Sequence, residues 1–130
     1  MRLGAGSDER SGARTLTRLA RSSDESIRRA VADNARTPSE TVKALSKDAD
    51  SSIRVAAARN QALDPGLLRV LARDEKPEVR ASVASSARVD PALLGELLFD
   101  DDKSVRSASY RNPATKPEDR EKASAEWDHA

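Results

Sequence analysis

Leucine returns every 26 residues along this chain, at Leu19, Leu45, Leu71 and Leu97, and a second apolar column runs three positions ahead of it at Leu16, Val42, Leu68 and Leu94. The same period carries Ile27, Ile53, Val79 and Val105, each followed directly by Arg28, Arg54, Arg80 and Arg106. Ala30, Ala56, Ser82 and Ala108 come next, and Asn34, Asn60, Ser86 and Asn112 close the unit. Self-similarity at a fixed period of this length is the signature of a repeat architecture. Within one period the spacing is helical. Ile53, Ala56, Ala57 and Asn60 fall at i, i+3, i+4 and i+7, which places a stripe of small residues on one face of a helix of about three turns. A shorter helix precedes it and carries Leu68, Leu71 and Ala72 in one copy and Leu94, Leu97 and Leu98 in another.

Helix starts are marked chemically. Thr37-Pro38-Ser39-Glu40 reads as a capping box, and Asp64-Pro65 and Asp90-Pro91 as an acidic cap before a proline that has no N–H to leave orphaned. The longer helix opens at Asp24, Asp50 and Asp102, and at Lys76-Pro77. The closing asparagine predicts a left-handed stop.

Two short helices expose more apolar surface than they cover, so each unit needs a neighbour. The expectation is an all-α fold: a right-handed α-solenoid of four 26-residue two-helix repeats, with a terminal capping helix starting at Pro117. Residues 15–130 are expected to form a single repeat domain, and residues 1–14, rich in glycine and charge, a mobile lead-in.

Composition agrees with a thin core. Hydrophobic residues make up 37% of the 130 positions and charged residues 35%, while the aromatics are Phe99, Tyr110 and Trp127 alone. Alanine and leucine must fill what interior there is. There is no cysteine, which removes disulfides, thiolate metal sites and a cysteine nucleophile. The first residues lack the apolar run of a signal peptide, and no later stretch is apolar enough to span a bilayer, so the expected location is cytoplasmic without membrane contact. A net charge of +1 gives no general pull toward nucleic acid or acidic lipid.

The segment from Leu71 to Ala84, with Asp74, Pro77, Val79, Arg80 and Val83, and the segment Arg111-Asn112-Pro113-Ala114-Thr115-Lys116-Pro117-Glu118 resemble the bacterial leucine-rich repeat variant, a HEAT-like solenoid. The likeness runs over roughly residues 15–127. It implies that the shorter helix of each repeat is partly 3₁₀. That family's founding member carries a cysteine-ligated iron–sulfur domain; this chain has no cysteine, so the resemblance brings no cofactor with it.

Two readings compete for the arginine ladder. Arg28, Arg54, Arg80 and Arg106 form a line able to track phosphates. Against that, Asp24, Asp50 and Asp102 stand four residues before an arginine, the spacing of a helical ion pair, and Asp48, Asp74 and Asp100 are placed to reach the ladder from the next repeat. Balanced partners favour the structural reading. Asp100-Asp101-Asp102 reads as a helix cap rather than a cation site. His129, the single histidine, is next to last. Tyr110 stands alone and Trp127 lies in the tail, which leaves no aromatic platform for an extruded base.

Columns that repeat are explained by stacking, and columns that vary are where specificity has room. These hold Arg29, Val55, Ala81 and Ser107, and Asp33, Arg59, Ser85 and Arg111. The chain therefore reads as a scaffold without catalysis that binds a protein partner through Arg29, Asp33, Val55, Arg59, Ser85, Ser107 and Arg111. The alternative is nucleic-acid binding on the arginine ladder. Residues 1–30 hold seven basic and four acidic side chains and residues 95–130 six and nine. That asymmetry is compatible with a monomer or weak self-association.

Overall fold

A computed structural model describes residues 5–127, with side chains from Ser11 onward. Among the described residues there are nine α-helices and no strand: α1 Ala5–Leu19, α2 Glu25–Asp33, α3 Ser39–Leu45, α4 Ser51–Arg59, α5 Gly66–Leu71, α6 Pro77–Ala84, α7 Pro91–Leu97, α8 Lys103–Arg111 and α9 Pro117–Trp127. They gather into two compact units that divide between Asp64 and Pro65. Of the expected lead-in, residues 5–14 form the start of α1. Residues 1–4 lie outside the described residues, as does His129.

In the first unit α2 packs along α4, and α3 packs against both. Its interior is Val31, Ala32, Val42, Leu45, Ile53, Ala56, Ala57, Ala58 and Leu63. Alanine dominates on α4 because the two nine-residue helices pack side by side, and a larger side chain would hold their axes apart. In the second unit α6 packs along α8 in the same way, with α7 against α8 and α5 against α6. Val79, Val83, Leu94, Leu98 and Val105 are fully buried there. α9 comes close to α7: a side chain on Gly95 would sit 3.1 Å from an Asp119 carboxylate oxygen.

Ile27 departs from the expected stripe. Ile53, Val79 and Val105 are completely buried, whereas Ile27 is 36% exposed and Ala30 is also exposed. The described neighbours of α2 are α1, α3 and α4, and α1 covers it only partly, leaving Leu19 37% exposed as well. The column repeats in sequence, but at Ile27 its burial is limited by the partial cover from α1.

Most helix starts follow the acidic signals, whereas α5 begins after Pro65, which caps it without a side-chain bond. Asp24, Asp50 and Asp102 each accept the backbone N–H two residues on, from Ser26, Ser52 and Ser104. Asp90 accepts Ala92 N at 2.9 Å with Pro91 in the first turn, and Lys76-Pro77 opens α6. The capping box is not formed. The Thr37 hydroxyl donates backward to Val31 O at 2.6 Å, and α3 begins after Pro38 without a side-chain cap.

The asparagine stops are also built differently from the expectation. Asn34, Asn60 and Asn112 hold φ of −81°, −77° and −67°, and no described residue has a positive φ. Two of them work between helices. The Asn60 amide donates to Ala32 O and Asn34 O at 2.8 and 3.0 Å while its oxygen accepts Ala62 N. The Asn112 amide donates to Ala84 O and Ser86 O at 2.8 and 2.9 Å while its oxygen accepts Ala114 N. Each ties the end of its helix to the carbonyls that terminate the helix alongside. Left-handed backbone is unnecessary once a side chain satisfies those carbonyls. The Asn34 side chain, which is exposed, accepts the local Arg36 N–H and bridges to no other helix among the described residues.

The short helices α3, α5 and α7 are α-helical and leave by i to i−3 bonds: Asp48 N to Leu45 O, Asp74 N to Leu71 O and Asp100 N to Leu97 O. Bonds of the same i to i−3 kind open these helices, from Thr41 N to Pro38 O, Leu68 N to Pro65 O and Leu93 N to Asp90 O, and the 3₁₀ character implied by the resemblance is limited to such terminal bonds.

Chemical denaturation of matched pairs checks this account. Ile53→Ala is expected to cost about 2–5 kcal/mol as a buried large-to-small change. Ile27→Ala should cost less than about 1 kcal/mol although it occupies the same column. Asn60→Ala should cost about 1–3 kcal/mol by stranding buried carbonyls. Asn34→Ala should stay within about 0.5 kcal/mol, as surface changes do.

Candidate interaction site

The arginine ladder is anchored at its root. Arg28 Nη1 donates to Ser22 O at 2.9 Å, Arg54 Nη1 to Asp48 O at 2.7 Å, Arg80 Nη1 to Asp74 O at 2.8 Å and Arg106 Nη1 to Asp100 O at 2.8 Å. In each case the acceptor is six residues earlier, in the turn leading into the helix. Every guanidinium is thereby oriented in the same way before any acid is met.

Arg28 then grips Asp48 with Nε at 2.8 Å and Nη2 at 3.3 Å, and Arg80 grips Asp100 with Nε at 2.9 Å and Nη2 at 3.0 Å. These are two-pronged pairs, about 10–20% exposed on both sides. Both arginines are raised above their ordinary pKa, chiefly by the hydrogen bond to their aspartate. Burial pushes the Asp48 carboxyl up, but the Arg28 bond and the Asp50 N–H outweigh it and leave the group below the usual range. The expected pairing between positions four apart is replaced. Asp24, Asp50 and Asp102 are occupied by their serine partners, and Arg28 and Arg80 reach the acid that follows the next short helix. Within the acidic run, Asp100 holds Arg80 and Asp102 caps α8; among the described residues no set of three acidic or histidine side chains gathers to hold a metal.

The variable columns lie on the outer faces. In the first unit Asp33 and Arg59 are exposed, Val55 is half-buried, and Arg29 donates to the Ser52 hydroxyl at 3.1 and 2.7 Å. In the second unit Ser85 and Arg111 are exposed, with Ala81 and Ser107 half-buried. Asp33, Arg59 and Arg111 make no ion pair with any described residue. They are fixed charges directed at solvent.

One feature escaped sequence reasoning. Tyr110 does not stand alone: its ring lies 5.6 Å from that of Trp127, tilted by 47°, and the Arg120 guanidinium sits 5.9 Å from the Tyr110 centroid. Phe99, 48% exposed, and Trp127 line the same cavity of about 320 Å³ together with Asp100, Arg106 and Glu126. All three aromatics of the chain therefore meet in the second unit. The signal available was the helical run from Pro117, which carries Trp127 back over α8 rather than away from it.

Comparison with known proteins gives no match to a family model, to a curated protein or to a solved structure.

The caps set an acid limit on stability. Asp50 is lowered from 3.8 to about 2, first by the Ser52 hydroxyl and then by the Ser52 N–H, and Asp24 and Asp102 are lowered by Ser26 and Ser104 in the same way. A carboxylate with a depressed folded pKa contributes its full stabilisation above the unfolded value, and loses it as pH falls through the folded one. Melting temperature should therefore be flat from about pH 7 to 5 and fall between about pH 4 and 2. Asp50→Asn, which keeps a good cap without a titrating group, should make that fall shallower.

Proposed function

We propose that the chain is a right-handed α-solenoid of four 26-residue two-helix repeats closed by α9, HEAT-like in the manner of the leucine-rich repeat variant. We further propose that it serves as a scaffold without catalysis, binding a protein partner on the outer faces of α2 and α4 and of α6 and α8. Support for the repeat comes from contacts that recur 52 residues apart, two periods. Arg28 with Asp48 matches Arg80 with Asp100, and Asn60 with Ala32 and Asn34 matches Asn112 with Ala84 and Ser86.

The observation that carries the binding reading is the division of labour between columns. Positions that repeat are consumed by caps, by asparagine bonds between helices and by half-buried ion pairs. Positions that vary, Asp33, Arg59, Ser85 and Arg111 above all, are exposed and make no ion pair within the fold. Charges that the fold does not use, on a face that changes from repeat to repeat, are the material of partner selection. Nucleic-acid tracking along the arginine ladder is less favoured, because Arg28 and Arg80 already hold a carboxylate each and a phosphate would have to displace it.

Charge reversal tests this directly. Arg59→Glu combined with Arg111→Glu should abolish retention of the proteins that the wild-type chain captures from a native lysate, while helical content and melting temperature stay within the small range of surface changes. Undiminished capture would overturn the assignment to this face. A gel shift with duplex or single-stranded nucleic acid that weakens steeply with salt, and vanishes in Arg28→Gln with Arg80→Gln, would favour the alternative.

A further inference from the structure

The last arginine of the ladder lacks the acid that the geometry prepares for it. Arg106 is seated like its counterparts, with Nη1 donating to Asp100 O at 2.8 Å and Asp101 O at 2.9 Å. Arg28 and Arg80 use their remaining edge, Nε and Nη2, to grip a carboxylate twenty residues further on, Asp48 and Asp100. Twenty residues beyond Arg106 is Glu126, an acid in the right column, yet no carboxylate among the described residues lies within ion-pairing distance of Arg106.

The reason lies in the length of α9. In the other copies the short helix ends at Leu45 or Leu97, and the acid sits three residues later in a turn closed by Asp48 N to Leu45 O or Asp100 N to Leu97 O. The equivalent end in α9 is Ala123, which is fully buried as the leucines are, but α9 continues to Trp127. Glu126 is therefore held on a helix, exposed, rather than in the turn that would bring it onto the guanidinium.

What occupies the space instead is the cavity of about 320 Å³ lined by Phe99, Asp100, Arg106, Glu126 and Trp127. Asp100 is engaged by Arg80, so its charge is already matched. The Trp127 Nε1–H is buried and has no acceptor among the described residues. The cavity thus combines a guanidinium whose Nε and Nη2 hold no carboxylate among the described residues with two aromatic surfaces. A guanidinium edge fits a carboxylate in two-pronged geometry, and the rings suit an apolar side chain next to it. We infer that this cavity binds a peptide carboxylate flanked by an apolar residue, the ligand standing in for the aspartate that Arg28 and Arg80 find inside the chain.

Trp127 is the only tryptophan, so its emission reports on this cavity alone. The intact chain is titrated with peptides free of aromatics. Ac-Ala-Leu-Asp-Leu-Ala-amide carries a side-chain carboxylate, Ac-Ala-Leu-Ala-Leu with a free C-terminus carries a terminal one, and Ac-Ala-Leu-Asn-Leu-Ala-amide carries none. A saturable emission change is expected with a carboxylate peptide and not with the asparagine peptide, and the stronger of the first two identifies the source of the carboxylate. Arg106→Gln should weaken binding at least about tenfold, the scale of losing hydrogen bonds between charged groups. Arg106→Lys, which keeps the charge without the fork, should fall between. Glu126→Gln, which removes a competing negative charge, should tighten binding severalfold. Circular dichroism confirms that each variant is folded, and should Arg106→Gln unfold, Arg106→Lys and Glu126→Gln decide. The inference is overturned if the asparagine peptide shifts the emission equally, if no carboxylate peptide gives saturation with the wild-type chain, or if folded Arg106 variants bind as wild type.

Discussion

A helix of nine residues has nearly as many backbone groups without an internal partner as with one, since four N–H groups at one end and four C=O groups at the other find nothing inside it. Seven of the nine described helices have six to nine residues, so the fate of helix ends governs the rest of the structure. At the starts of α2, α4, α7 and α8, aspartates supply acceptors. At the finishes, donors come from elsewhere in the chain: the amides of Asn60 and Asn112, and the hydroxyls of Thr37 and Thr115, which reach Val31 O and Ser109 O. The arginines do the same for the turns between helices, where Arg28, Arg54, Arg80 and Arg106 each satisfy a carbonyl six residues back. Apolar burial by leucine and alanine supplies the driving force, but it operates only because these ends are closed.

The same accounting separates what could be read in the sequence from what could not. Helix positions and most starts were visible because their signals are local: a 3.6-residue stripe, an aspartate before a serine-rich turn, a proline in the first turn. The role of the asparagines was hidden because their partners are 26 to 28 residues away, whereas the pairing of Arg28 with Asp48 and of Arg80 with Asp100 was open to expectation because the period places those acids one repeat on. Asn60 offers the sequence reader a side chain that tolerates left-handed backbone, whereas the fold uses it as a double donor between helices. Asp24 and Asp50 stand at the spacing of an ion pair with Arg28 and Arg54, but a cap requires that same carboxylate and is closer to it. Thr37 shows the competition most simply. Its hydroxyl has a forward N–H and a backward carbonyl within reach, and the buried carbonyl of Val31 wins because leaving it unpaired costs more than leaving an exposed helix start uncapped.

Burial of the repeating columns was not legible from the pattern at every position. Ile27 and Ile53 are indistinguishable by pattern, and the difference between them arises from what precedes each in space. A repeat sequence specifies the contact between copies, and its first copy inherits that specification without having the contact. The outer face behaves in the opposite way. Arg59 and Arg111 are identical in type and position within the period, and both remain exposed because nothing in the fold requires their charge.

The aromatic cavity follows from a small lengthening of one element. Had α9 ended at Ala123, as α7 ends at Leu97, residue 126 would stand in a turn with its carboxylate facing Arg106, and the ladder would close on itself. Four more helical residues carry that position onto α9 and bring Trp127 against Tyr110. The guanidinium is nevertheless seated by the same carbonyl as its counterparts, because that anchor lies within its own repeat and does not depend on the acid. A cation oriented by one contact and denied its usual second one is preorganised for an external carboxylate, since the orientation that binding would otherwise have to impose is already fixed. The repeat thus generates a binding edge at Arg106 through the same geometry that makes Arg28 and Arg80 structural, the difference being whether the acid is part of the chain.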